Sequence, residues 1–384
     1  INNTNNDYQG STTINNASVT IGSDASLGSS TANLILNDSS LKGVNTNTTI
    51  NRKVEIEGSS SGIVQNQNQA LVLNGVVSGA SNALHITNGT VELNGVNTYT
   101  GNTIVDNAVL VINNANSLGA NTSATTTLNN ASTLKTVADI ALSKNIQLGT
   151  DAILNTDNHL LTVNGVVSGG VLTKEGTGTL KLSGNNTYTG DTNVNAGTLE
   201  INNESALGNS QKVNLKNTTL TVTDNAVLAA QVDLTNGGTI NTSTSGKTTT
   251  INGLVSGTGG LQKNGVGGLV LTNDNTYTGN TYINAGTLGI TKNSNLGDAN
   301  NQTFLNGGSL QTLQNMVLDQ SLAITAAQGG IDTAGNNTTV NGVISGNGKF
   351  STNVSANYNW WGVNKGPAIR YAKNDSKYWV VMTF

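Results

Sequence analysis

The chain has 384 residues, of which 46 are glycine, one is proline and none is cysteine, and only 10% are charged. The net charge of −4 and the lack of lysine or arginine runs argue against nucleic-acid binding. No apolar run reaches the roughly 18 residues of a membrane span, and disulfides cannot stabilise the fold. Abundant threonine, valine and isoleucine favour strands, whereas asparagine and glycine favour tight turns. The composition therefore predicts many short strands joined by turns.

Three short motifs recur along the chain with one period. The box NTYTG at 97–101 returns at 186–190 and 275–279, with a degenerate copy at 6–10. The motif NGVVSG at 74–79 returns from 164, 252 and 341, and a Leu-Gly motif at 26–28 returns from 117, 206 and 295. The spacings are 88 to 91 residues for all three, which identifies a true repeat. The residues that mark it are Tyr8, Tyr99, Tyr188, Tyr277, Gly101, Gly190 and Gly279.

Within each copy, apolar and polar residues alternate. Leu180 and Leu182 alternate with polar neighbours, as do Leu199 and Ile201, which is typical of short strands with one buried face. Glycine interrupts too often for helices of ordinary length. The period divides into about four coils of roughly 22 residues, with parallel strands and stacked asparagine side chains. We therefore predict an all-β parallel β-helix of about four repeats of 89–91 residues over residues 1–350.

The last part of the chain, residues 351–384, departs from the repeat. It contains Trp360, Trp361, Trp379, the single Pro367 and half of the aromatic residues. A β-helix must protect its last coil, so we expect an aromatic-rich C-terminal cap here. A carbohydrate-binding aromatic platform and an engineered graft of a foreign cap are the alternatives.

Few residues offer catalytic or metal-binding chemistry. His85 and His159 lack the spaced partners that a zinc site requires, and the carboxylates are scattered, so we expect no cofactor and no metal. The densest charge cluster, at 52–57 (RKVEIE), predicts a solvated strand face. The four tyrosines could form a binding row, but packing at coil corners with bonded hydroxyls is the simpler interpretation.

The blocks at 176–208 (GTGTLKLSGNNTYTGDTNVNAGTLEINNESALG) and 267–297 resemble the autotransporter-associated β-strand repeat. This resemblance covers roughly residues 1 to 350 and implies a right-handed parallel β-helix in the passenger domain of a Gram-negative surface protein, similar to rickettsial outer-membrane antigens. The segments around Trp360 and Trp379 resemble the end of adhesin-like β-helix proteins. The matched positions carry no catalytic residues.

The resemblance implies an exported, extracellular protein at the cell surface that acts as a rigid stalk and extended interaction surface. Its expected partners are a host-cell receptor protein or glycan, or a second copy of itself. We expect no enzymatic activity, no membrane-spanning segment in this chain, and attachment to a membrane anchor that the chain lacks. The alternatives are a carbohydrate-active β-helix enzyme, a carbohydrate-binding module and an engineered capped repeat scaffold.

Overall fold

A computed structural model describes residues 1–44, 47–64, 69–80, 83–326, 329–348, 351–353, 370–374 and 377–381. Chain contacts divide the molecule into two units. The first comprises Ile1–Gly197 and Ser205–Ser210, and the second comprises Thr198–Glu204 and Gln211–Phe384.

The first unit consists of short strands. They are β1 (Thr12–Asn15), β2 (Ser18–Ile21), β3 (Leu34–Asn37), β4 (Ser40–Gly43), β5 (Thr48–Ile50), β6 (Val54–Glu57), β7 (Ser60–Val64), β8 (Ala70–Leu73), β9 (Val77–Ser78), β10 (Ala83–Thr87), β11 (Thr90–Leu93), β12 (Thr103–Asp106), β13 (Val109–Ile112), β14 (Thr125–Asn129), β15 (Thr133–Thr136), β16 (Ile140–Leu142), β17 (Asn145–Leu148), β18 (Ile153–Asn155), β19 (Leu160–Val163), β20 (Val167–Gly169), β21 (Leu172–Glu175), β22 (Thr179–Leu182) and β23 (Thr192–Val194).

The second unit has the same construction. Its strands are β24 (Thr198–Ile201), β25 (Lys212–Leu215), β26 (Thr218–Val222), β27 (Ala226–Leu228), β28 (Gln231–Asp233), β29 (Gly238–Thr242), β30 (Thr248–Ile251), β31 (Val255–Ser256), β32 (Leu261–Asn264), β33 (Gly268–Leu271), β34 (Thr281–Ile283), β35 (Thr287–Ile290), β36 (Gln302–Leu305), β37 (Ser309–Thr312), β38 (Met316–Leu318), β39 (Ser321–Ile324), β40 (Gly330–Asp332), β41 (Thr338–Val340), β42 (Ile344–Ser345), β43 (Ser351–Asn353), β44 (Arg370–Asn374) and β45 (Lys377–Val381). The helical elements of the described chain are short 3-10 turns at Asp24–Leu27, Ala115–Leu118, Glu204–Leu207 and Asn293–Leu296.

Within each sheet of the first unit, successive strands lie one coil apart and pair in parallel. Its sheets are sheet A (β1-β3-β6-β9), sheet B (β2-β4-β7-β10-β12-β14-β17-β20), sheet C (β5-β8-β11-β13-β15-β18-β21-β23) and sheet D (β16-β19-β22). Consecutive strands visit the sheets in rotation, as in β9, β10 and β11, which belong to sheets A, B and C. Parallel pairing with such rotation is the topology of a parallel β-solenoid.

The second unit repeats this topology. Its sheets are sheet E (β24-β26-β29-β32-β34-β36-β39-β42), sheet F (β25-β28-β31), sheet G (β27-β30-β33-β35-β37-β40-β43) and sheet H (β38-β41). Their strand pairs are parallel, whereas β44 and β45 form an antiparallel hairpin. The prediction of an all-β parallel solenoid is therefore confirmed.

The coil, and not the 89-residue repeat, is the stacking unit. Leu161 lies beside Leu180, 19 residues later, and Leu110 lies beside Leu134, 24 residues later. Sequence-equivalent strands 89 residues apart belong to different sheets: β12 to sheet B and β23 to sheet C, and likewise β24 to sheet E and β35 to sheet G. One repeat of 89 residues therefore spans close to the predicted four coils, but not a whole number of them. One repeat contains four coils and one further side of a three-sided coil.

The core follows from the alternation seen in the sequence. In β19, β22 and most other strands, every second side chain is fully buried, as in Leu161, Val163, Leu180 and Leu182. Each such side chain contributes roughly 1.5–3 kcal/mol by leaving water. Because the register is direct, these side chains form continuous apolar columns within each sheet.

The predicted asparagine ladders are present at the turns. Asn94 Nδ2 donates to Asn74 Oδ1 at 3.0 Å, and Asn74 Nδ2 donates to Asn51 Oδ1 at 2.9 Å. In the second unit, Asn284 Nδ2 and Asn306 Nδ2 continue a similar ladder from Asn264, at 2.7 and 2.9 Å. The middle amide of each ladder acts both as donor and as acceptor, so it connects the turns of three successive coils.

The predicted aromatic cap falls mostly outside the described residues. Trp360, Trp361 and Pro367 lie there, and for Trp379, in β45, only the backbone is described. The hairpin of β44 and β45 contacts β43, the last parallel strand of sheet G. In the rest of the described chain, one aromatic pair is stacked, Tyr282 with Phe304, with ring centroids 4.8 Å apart.

Candidate functional site

The three sequence motifs lie against one another in three successive coils. In the first complete copy, the segment 74–79 is followed one coil later by 97–101 and two coils later by 116–119. We call this three-coil arrangement a tyrosine stack. The other two stacks are formed by residues 164–169, 186–190 and 205–208, and by residues 252–257, 275–279 and 294–297.

Each stack lies where a sheet ends. The strands β9, β20 and β31 belong to the NGVVSG-type motifs and are the last strands of sheets A, B and F. After the first stack, sheet D begins at β16, and after the third stack, sheet H begins at β38. A stack therefore replaces the regular strands on one side of the solenoid with hydrogen bonds of its own.

A buried asparagine joins the three coils of each stack. Asn186 Oδ1 accepts the N–H of Val167 at 2.8 Å, and Asn186 Nδ2 donates to Ala206 O at 2.6 Å. A buried N–H such as that of Val167 costs about 1–3 kcal/mol when it loses its partner, so this bond stabilises the stack. The equivalent bonds join Asn97 to Val77 and Ser117, and Asn275 to Val255 and Asn295, all at 2.6 to 2.8 Å.

The tyrosine of each complete stack packs inside the solenoid. Tyr99, Tyr188 and Tyr277 are 0% exposed, and burial raises the pKa of each phenol well above its ordinary value. Each hydroxyl bonds the threonine four residues later at 2.7 or 2.8 Å. The phenols are therefore not available as a surface binding row.

Glycines allow the coils to approach one another at the stacks. A Cβ atom on Gly190 would lie 2.6 Å from Val171 N, and one on Gly279 would lie 2.3 Å from Gly260 N. Contacts this short exclude any other residue unless the backbone shifts. Gly101, at the same place in the first stack, is buried.

The first marker tyrosine differs from the other three. Tyr8 is 40% exposed, although its hydroxyl bonds Thr12 at 2.6 Å and its carbonyl accepts from Ser29 N at 2.9 Å. Asn6 Nδ2 donates to Ser26 O at 2.7 Å. The segment therefore makes the bonds toward the following coil that the complete stacks also make. Among the described residues there are three complete stacks, while the Tyr8 segment and the motif at 341–346 belong to incomplete ones, so the four copies are not equal.

A buried arginine fixes the turn of the partial stack at Tyr8. The burial of this arginine was not predicted from the sequence. Arg52 is 2% exposed, and its Nε donates to Asp24 Oδ1 at 2.7 Å. Its Nη1 and Nη2 atoms donate to Leu27 O at 2.6 Å and to Gly28 O at 3.2 Å. The prediction of a solvated face for the charge cluster is therefore wrong for Arg52, which satisfies turn carbonyls that have no strand partner.

The corresponding position in two other copies also carries a long polar side chain. Lys144 Nζ donates to Asn121 O, and Gln320 Nε2 donates to Asp298 O at 2.7 Å. The sequence signal is that Arg52, Lys144 and Gln320 each precede an NGV-type motif by 20 to 22 residues. The different residue types conceal this shared position.

Two further lysines are buried inside carbonyl cages. Lys174 Nζ donates to the carbonyls of Glu175, Gly176 and Ala196 at 2.9, 2.7 and 3.1 Å. Lys263 Nζ donates to the equivalent carbonyls, those of Asn264, Gly265 and Ala285, at 2.8 to 3.0 Å. Burial lowers the pKa of both ammonium groups to about 8. The signal in the sequence is a lysine at an inward position of a strand, repeated after 89 residues.

The carboxylates are dispersed over the described surface, and several pair with a lysine about one coil away. Lys212 contacts Asp233 at 2.8 Å, and Lys247 and Lys292 contact Asp224 and Asp274 at 2.7 Å. His159 Nδ1 lies 3.5 Å from Asp139 Oδ1. No group of three or more histidine or acidic side chains in the described part of the chain is placed to bind a metal ion. Within the same residues, no helix is long and apolar enough to cross a membrane.

Comparison with known proteins identifies the repeat. Residues 88–112, 172–201 and 261–290 match the model of the passenger-associated-transport-repeat, and each match includes strands that flank a tyrosine stack. Over 317 residues the chain is 32% identical to the adhesin BmaC autotransporter of Brucella suis biovar 1 (strain 1330). This alignment covers 74% of the chain but 9% of the relative. No solved structure gives a significant match.

Proposed function

Because this chain carries repeats of the autotransporter passenger type, we propose that it is a surface-exposed segment of an exported adhesin. Its role is to present an extended surface that attaches to a host-cell receptor protein or glycan, or to a second copy of the chain. The observation that carries the proposal is the passenger repeat together with the 32% identity to a protein named as an adhesin.

The surface chemistry supports binding over an extended area. The outward positions of the strands carry mainly threonine, serine and asparagine, and several exposed acidic side chains are paired with lysines. Such a surface offers many hydrogen-bond donors and acceptors and little charge, which suits recognition by many weak contacts.

We propose that the segment is not catalytic. Glycosidases bring two carboxyl groups to within roughly 5 to 9.5 Å across a substrate groove. Hydrogen bonds from Lys247 and Lys292 lower the pKa of Asp224 and Asp274, which opposes a role of these two groups as general acids. Incubation with plant and bacterial polysaccharides should release no reducing ends, and any turnover above a boiled control would contradict this.

The handedness of the solenoid and the role of its C-terminal end are part of the same proposal. We infer a right-handed solenoid in which the partial Tyr8 copy counts as the first of four repeats. Residues 351–384 then form a cap, supported by the contact of the β44–β45 hairpin with β43. Removing residues 354–384 should cause concentration-dependent association, measured by light scattering, whereas an unchanged monomer would overturn the cap.

The adhesin proposal is tested by attachment. Beads coated with the fragment are scored for binding to cultured host cells and for clumping with one another, beside albumin-coated beads. Attachment or clumping above the albumin control is expected. If folded fragment produces neither, the segment is a passive spacer.

A further inference from the structure

An open polar groove lies on the outer face of sheet B in the first unit. It encloses about 430 Å³, and we call it the Gly62 groove. Its lining residues are Asn16, Ala17, Ser18, Asp38, Ser39, Ser40, Gly62, His85 and Thr87. None of them belongs to a complete tyrosine stack.

The floor of the groove is a glycine that the fold does not require. Gly62 pairs in register with Ser40 on one side and His85 on the other, within the outward column of sheet B. A Cβ atom at position 62 would lie 3.4 Å from His85 O and 3.6 Å from His85 Cβ, which are ordinary contacts. Its φ angle is not in the left-handed region either.

A glycine inside a strand costs stability, roughly 0.5–1 kcal/mol relative to alanine. Glycine at such a place often marks the close approach of a ligand or of another backbone. Here the missing side chain opens the space between Ser40 and His85. Neither the backbone conformation nor the packing calls for a glycine at position 62, which supports a role for this position in admitting a ligand.

The polar groups of the groove are arranged before any ligand binds. Asp38 Oδ1 accepts from Ser59 N at 2.6 Å and from Ser59 Oγ at 3.0 Å, which fixes the carboxylate. The hydroxyls of Ser18 and Ser40 lie 2.7 Å apart. Among the described residues, the half-buried His85 ring makes no hydrogen bond, so its two nitrogens can serve a ligand.

We propose that the Gly62 groove is a saccharide-binding site. A carboxylate, an imidazole and several hydroxyls supply both donors and acceptors, the combination that a ring bearing vicinal hydroxyls requires. The volume lies in the range of small-ligand sites, while the lining lacks the apolar side chains that dominate sites for apolar ligands. The proposal rests on the adhesin function and specifies a glycan as the partner.

The chain permits a closely matched test. Gly62→Thr fills the groove with a residue that favours strands, and its Cβ fits without a clash. The control is Gln147→Thr, because Gln147 is an exposed central residue of β17 in the same sheet, outside the groove. Circular dichroism and thermal melting establish that both variants fold.

Binding is measured first on an array of mammalian-type oligosaccharides and then by saturation-transfer NMR with the best free oligosaccharide. We expect wild type and Gln147→Thr to bind alike, with Gly62→Thr and His85→Ala weaker by about tenfold or more. No binding by the wild type, or equal binding by folded Gly62→Thr, overturns the groove as a saccharide site, as does binding only to peptide probes.

Cell attachment separates this proposal from the adhesin function. If wild type and Gly62→Thr attach to cells equally well, the adhesin function stands and the groove proposal fails. If oligosaccharides bind in the groove but coated beads do not attach, the groove stands and the adhesin function fails.

Discussion

At the scale of single residues, the tyrosine hydroxyl is the part of the stack whose effect can be isolated. Tyr188 is fully buried and bonds Thr192 at 2.8 Å, and Thr192 in turn bonds Ser210 Oγ at 3.1 Å. Tyr188→Phe keeps the ring and removes only the donor, so we expect a loss of about 1 kcal/mol in unfolding free energy, measured by urea denaturation. Tyr8→Phe is the control. Its phenol is 40% exposed, so water can replace the lost bond and the loss should be smaller. Equal losses would contradict the difference in burial.

The caged lysines make a prediction about pH. In the folded chain, burial lowers the pKa of Lys174 and Lys263 to about 8, from an ordinary value of 10.5. Between these values the unfolded chain binds more protons than the folded chain, so folding stability rises with pH from about 8 to 10. Above pH 10 the buried tyrosines, whose pKa is raised, act in the opposite direction.

The measurement compares urea midpoints at pH 8 and pH 9.5 in the wild type and in the Lys174→Met, Lys263→Met double variant. The rise should be present in the wild type and reduced in the double variant. A rise of the same size in both would show that other groups cause it.

At the scale of elements, the asparagine of the box carries the connection between coils. Asn97→Ala leaves Val77 N and Ser117 O without their partner inside the protein, and we expect a loss of about 2–4 kcal/mol. Asn94→Ala removes a member of an exposed ladder, where water can substitute, so its effect should stay below about 1 kcal/mol. Equal urea midpoints for the two variants would contradict the assigned role of Asn97.

Local patterns predicted the elements well, because inward residues such as Leu180 and Leu182 obey strict alternation and the turns require glycine or asparagine. The mutual stacking of the three motifs was not predictable in the same way. They are about 20 residues apart, but that distance is meaningful only once the coil length is known. The buried Arg52 and Lys174 also conflicted with the usual exposure of charged residues, since only the completed fold supplies their carbonyl partners.

At the scale of the whole chain, the shift by one sheet per repeat constrains which segments can be removed. Each stack depends on its own motifs and on the coils beside it, not on a particular sheet. Deleting residues 99–187 removes 89 residues and joins Thr98 directly to Tyr188, which restores an intact box from Asn97 to Gly190. Every following motif then keeps its local spacing.

We expect this deletion variant to fold with the parallel-strand circular dichroism of the parent and a thermal midpoint within a few degrees of it, because nearest-neighbour coil contacts are preserved. The control also removes 89 residues, but it starts at a different point of the repeat. It removes residues 119–207 and so joins Leu118 to Gly208. This junction also links equivalent positions, and it should be tolerated equally well.

A deletion of residues 99–178 removes 80 residues and joins Thr98 to Thr179, so that one box is destroyed. That variant should be strongly destabilised. If it melts like the two 89-residue deletions, the coil alone is the unit of stability and the stacks contribute nothing.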